Sequence, residues 1–143
     1  MDLQKTFKTV AHHLFEQGCP AINDATGDCA YRMADGRKCA VGILIPDAKY
    51  NAEIMEGKEA TADPICEALD IEKCTDAAGN YTYTPEVLLL KDLQQIHDSV
   101  NGGTAGRDNC WGSSNDMREA LQEVGSKHGL CVAFIKGLAF ADR

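Results

Sequence analysis

Cys29 to Gly57 reads CAYRMADGRKCAVGILIPDAKYNAEIMEG, and the fold class turns on it. Asp35-Gly36 stands between CAYR and RKCAV, and a glycine that tolerates positive φ between two apolar runs is a hairpin signal. The pattern predicts two short strands near 29–33 and 37–41. AVGILI is short and apolar, compatible with a buried strand or one helical turn. Pro46-Asp47 punctuates it, and DAKYNAEIME predicts an irregular helix that Gly57 ends.

Outside this stretch the pattern is helical. Leu3, Phe7, Val10 and Leu14 recur at helical spacing after Asp2, a capping residue, and Gly18 with Pro20 stops the run, giving a helix over 2–17. Asp63-Pro64 opens a short helix to about residue 70, and 71–83 reads as a loop or small hairpin around Gly79-Asn80. Thr84-Pro85-Glu86 starts the strongest helix, with Leu89, Leu93, Ile96 and Val100 on one face and Gly102-Gly103 as its stop. Ser113 with Asp116 is a capping-box signature before a helix carrying Met117, Leu121 and Val124, closed by Gly129. LCVAFI at 130–135 is β-branched and apolar, a strand able to join the 29–41 hairpin. The expected fold is α+β and mostly helical: about four helices around a small antiparallel sheet, in one domain over 1–143.

Composition narrows the work the chain can do. A formal charge of −8 and a pI near 4.9 argue against phosphate-backbone binding, which needs clustered Lys and Arg. The acidic balance suits a basic partner, although no block of like charges stands out. No apolar run approaches the roughly 20 residues of a membrane span, and the N-terminus is amphipathic and unlike a signal peptide, so a cytoplasmic site is expected. The seven cysteines are irregularly spaced and contain no C-x-x-C. Reduced thiols acting mainly as small core hydrophobes follow, with no zinc-finger spacing.

Three constellations could carry chemistry. Cys39, preceded by Arg37 and Lys38, could be a nucleophile with His97 or His128 as base, but Asp98 is adjacent to His97 on a helix and badly placed to orient that ring. Cys29, Cys39 and His97 or His128 could meet in a metal site, though their spacing does not request one; no metal or cofactor is expected. Tyr31, Arg32, Arg37, Asp47, Tyr50 and Glu56, with Arg107 and Trp111 from the later glycine-rich loop, are residue types that anchor interfaces. The alternative for each is structural, with arginines paired to acids across the hairpin and Tyr50 and Trp111 at core edges.

The 29–57 text resembles a group of small proteins of tailed phages and prophages. The resemblance rests on Cys29-Ala30-Tyr31-Arg32, Gly36, Lys38-Cys39-Ala40-Val41-Gly42, Leu44-Ile45-Pro46-Asp47, Tyr50 and Glu56-Gly57, and on Leu93-Gln94-Gln95-Ile96-His97-Asp98. It covers the middle two-thirds of the chain. Ile43 stands where similar sequences often carry a further cysteine. The resemblance implies an accessory protein that binds a host protein or complex in the cytoplasm of an infected bacterium and inhibits or modulates it, in the manner of an anti-CRISPR protein. A small cysteine-dependent hydrolase or transferase using Cys39 and His97, and a binder of a nucleotide signal using Arg32, Arg37 and Arg107, are the alternatives.

Overall fold

Helix α1 (Leu3–Gln17) starts where Asp2 accepts the Lys5 N–H and stops at Gly18, whose φ of 71° lets its N–H reach the Leu14 carbonyl. The computed structural model describes residues 1–23, 26–72, 74, 75, 77–99 and 110–141. Val100, Gly102-Gly103 and Arg107 lie outside them.

Two single-turn 3₁₀ segments (Gly42–Leu44 and Asp47–Lys49), α2 (Ala52–Met55) and α3 (Asp63–Ala68) follow. Then come α4 (Pro85–Ser99) and α5 (Ser114–Lys127), the latter capped by Ser113, which accepts the Asp116 N–H. Among the described residues, the only paired strands are β1 (Cys74–Thr75) and β2 (Tyr81–Thr82), two residues each.

The chain is therefore helical, and the expected α+β fold with an antiparallel sheet is wrong. Gly36 does make a turn, with φ 95°, but pairing reduces to a single bridge between Arg32 and Lys38. The ladder fails because side chains from elsewhere take its donors. Glu56 accepts the Tyr31 and Arg32 N–H groups at 2.9 and 3.1 Å, and Gln17 accepts the Lys38 N–H at 2.8 Å. The expected 130–135 strand meets the same fate. Gln4 accepts the Cys131 N–H and donates to its carbonyl, and Ala133–Gly137 coils into a 3₁₀ turn. A backbone N–H needs a partner, not a particular one, so a well-placed carboxylate or amide replaces a strand.

Two apolar clusters flank α4. Phe7, Val10, Leu14, Leu89, Leu93, Trp111, Met117, Leu121 and Ile135 form one, between α1, α4 and α5. Tyr31, Cys39, Val41, Ile45, Met55, Ile65, Val87 and Leu90 form the other, between α4, the 29–45 stretch, α2 and α3. Cys39 and Cys66 are core hydrophobes, as the composition suggests. Cys19 and Cys110 instead form a disulfide, unlike the reduced state expected of the cysteines, and it ties the end of α1 to the segment before α5. No helix is long and apolar enough to cross a membrane.

Candidate functional site

The conspicuous residues of 29–57 converge on one carboxylate. Besides the two backbone N–H groups, Glu56 accepts the Tyr50 hydroxyl. Tyr50 lies under the Arg32 guanidinium, whose centre is 4.5 Å from the ring centroid. Arg32 also donates to the Ile45 carbonyl at 2.7 Å and pairs with Asp47 at 2.7 Å. The Tyr31 hydroxyl donates to the Lys58 carbonyl at 2.6 Å. Arg37 is held by Asp35 and by the Pro20 carbonyl. Six of the eight candidate surface residues are thus brought together or fixed by this loop, with their polar groups directed at the chain itself. Asp47 is exposed, whereas Tyr31 is buried. Trp111 is also buried, far along the sequence, against Phe140 and edge-on to His97.

The residues offered for catalysis are internal as well. Cys39 is 0% exposed, and its sulfur accepts the Gly42 N–H. His97 is 1% exposed; its Nε2 accepts the Ala21 N–H at 2.9 Å, so the proton lies on Nδ1, which donates to Asp98 at 2.7 Å. Asp98 therefore does orient His97 despite being its neighbour in sequence: at the last turn of α4 its carboxylate folds back to the ring. The histidine's lone pair is spent holding the 19–23 segment to α4. His128 bonds to Asp92 at 2.7 Å across α4 and α5, and Lys127 joins the same oxygen at 3.0 Å. Burial acts to raise the Asp92 carboxyl, but these hydrogen bonds and the lysine charge outweigh it and hold it below the usual range. No cluster of three or more metal-ligating side chains occurs among the described residues.

Cys29 lies apart from this internal network. It lines an open cleft of about 600 Å³ between the 28–31 segment, residues 57–61 and α4, together with Tyr31, Lys58, Lys91, Gln94 and Asp98. Gln94 donates to its sulfur at 3.0 Å and to Asp98 at 2.9 Å. The Cys39 thiol and then burial push the Cys29 thiol well above its ordinary value. Burial first, then neighbouring Cys39, raises Tyr31; burial and the bond to Glu56 bring Tyr50 to about 12.

Groups whose folded pKa is raised bind their protons more tightly when folded. The stability they contribute is complete below the unfolded values, about 8.5 for Cys and about 10 for Tyr, and is lost as pH climbs through the folded ones. The urea midpoint is therefore expected to fall progressively from about pH 8.5 to 12, and less steeply in a Cys29→Ser, Tyr50→Phe variant. A midpoint level across that range in the unmodified protein would show that these protons are not linked to folding.

One feature was missed by inspection of motifs. Residues 47–72 hold eight carboxylates against two lysines, which is six of the eight net negative charges. Glu53, Glu59, Asp63, Glu67, Asp70 and Glu72, on or beside α2 and α3 in sequence, are all exposed, and Ile54 on α2 is 48% exposed. A running sum of charge along the sequence finds this lobe, although no run of adjacent acids marks it. No protein-family model, curated protein or solved structure shows a significant match to this chain.

Proposed function

We propose that this is a non-enzymatic accessory protein, of the phage kind its 29–57 text resembles, which binds a basic surface of a host protein or complex in the cytoplasm and inhibits or modulates it. The observation that carries the reading is the concentration of exposed carboxylates over residues 53–72, on α2 and α3, which touch each other, and in the turns beside them, with Ile54 exposed on α2. Clustered surface charge steers association with an oppositely charged partner, and an apolar residue within it supplies contact area once the partner arrives. The Glu56–Arg32–Tyr50 network at the end of α2 supports the same reading, because a rigid surface loses little freedom on binding.

The test is affinity capture from lysate of a bacterial host with the wild type and with a Glu53→Lys, Glu59→Lys, Glu67→Lys variant. All three side chains are exposed, so the variant should fold, as circular dichroism will verify. A partner held by the wild type at low salt, released by added salt and bound at least tenfold more weakly by the variant is the expected result. Undiminished retention of that partner by a folded variant refutes the assignment of this face.

A further inference from the structure

Cys19 and Cys110 bond to each other where the end of α1 meets the approach to α5. The chain on either side is held there by contacts that do not involve the sulfurs. Beside the bridge, the Trp111 N–H donates to the Gly18 carbonyl at 3.0 Å. Gln17 donates to the Cys19 carbonyl at 2.7 Å, Arg37 to the Pro20 carbonyl at 3.0 Å, and the Ala21 N–H to His97 at 2.9 Å. The buried Trp111 packs edge-on to His97 and stacks on Phe140. Backbones placed this way keep the two cysteines side by side whether or not their sulfurs are bonded. Both residues are only half-buried, whereas Cys39 and Cys66 are buried, and a disulfide open to solvent is the kind that exchanges with thiols.

We infer that Cys19 and Cys110 are a reversible oxidation site, a thiol–disulfide switch that a dithiol reductant opens and a glutathione-type disulfide closes without unfolding the chain. On opening, a thiolate of the reductant attacks one bridge sulfur and the S–S bond breaks. The other cysteine leaves with the electron pair and takes up a proton. The reductant's second thiol, as thiolate, then attacks the mixed disulfide, and the first cysteine leaves in the same way. Two electrons and two protons pass to Cys19 and Cys110, and the reductant becomes a disulfide. On closing, one cysteine thiolate displaces a glutathione from glutathione disulfide, and the other cysteine displaces the second. The bridge joins residues 91 apart, so it mainly removes freedom from the unfolded chain; the open form is less stable and still folded. The inference is independent of the partner proposed above.

The experiment incubates the purified chain with dithiothreitol in native buffer and records circular dichroism and the emission of Trp111, the single tryptophan. The sample is then alkylated, and Cys19 and Cys110 are mapped by peptide mass spectrometry. Expected are alkylation of both thiols, an unchanged helical signal, an emission still that of a buried tryptophan, and a thermal midpoint about 10 °C below that of the oxidised protein. In mixtures of reduced and oxidised glutathione the pair should close again, with an effective thiol concentration at least about 100-fold higher in native buffer than in urea. That ratio is the reciprocal of the stabilisation the bridge gives the fold. A bridge that resists dithiothreitol until urea is added is a static staple and overturns the inference. So does loss of the helical signal on reduction, closure no more favourable in native buffer than in urea, or pairing of Cys19 or Cys110 with a different cysteine.

Discussion

Glu56→Gln is expected to destabilise the protein by about 3 kcal/mol. The carboxylate accepts from the Tyr31 and Arg32 N–H groups and from the Tyr50 hydroxyl, three donors on two oxygens. Glutamine keeps one oxygen and turns an NH₂ toward donors that have nothing to give it. An orphaned, partly buried N–H costs about 1–3 kcal/mol, and bonds to a charged acceptor are worth about 1.5–3 each. Glu53→Gln, exposed in α2 just before Glu56, should stay within about 0.5 kcal/mol. The comparison is made from urea midpoints. A loss below about 1 kcal/mol for Glu56→Gln would mean that the 29–33 backbone finds other acceptors and that Glu56 does not organise the loop.

Gly42→Ala is the second large effect, again about 3 kcal/mol. A Cβ at this position collides with the Tyr31 carbonyl oxygen and stands 2.8 Å from its carbon. The obstacle is backbone, so no rotamer change relieves it. Either the 29–32 segment lifts from the 3₁₀ turn, with loss of the Cys39–Gly42 bond, or the turn itself unwinds. Gly137→Ala has nothing within 4 Å of the added carbon and should be nearly neutral. Equal thermal midpoints for the two alanine variants would rule out the close approach of Tyr31 to Gly42.

How much of this was readable from the chain depends on where each element finds its partners. α1, α4 and α5 are set by neighbours in sequence, by Asp2 and Gly18, Thr84-Pro85 and Ser113, and these were legible. The 29–41 hairpin was not. Its turn residues were read correctly, but the competitors for its backbone sit elsewhere: Gln17 on α1 and Glu56 after α2. The apolar, β-branched 130–135 run was misread for the same reason, its acceptor lying 127 residues away in Gln4. For the candidate site, sequence identified Tyr31, Arg32, Tyr50 and Glu56 as belonging together, yet composition alone cannot say whether an arginine points outward or over a tyrosine. Cys29 gave the reverse case. Its spacing suggested nothing, and its place on the cleft beside Gln94 depends on how the 28–31 segment packs against α4.

The position of α4 between the two apolar clusters limits how the protein can change length. Leu89, Leu93 and Ile96 face one cluster, Val87 and Leu90 the other, and Gln94 and His97 hold loop backbone by hydrogen bonds at fixed heights along the same helix. Each residue of an α-helix advances the side-chain direction by about 100°. One residue inserted or deleted within α4 would therefore turn both faces out of register at once, and no local repacking could restore the two together. Tolerated length variation is confined to the exposed turns, such as the one at Gly36, whereas the interval from Val87 to His97 must be inherited at constant length.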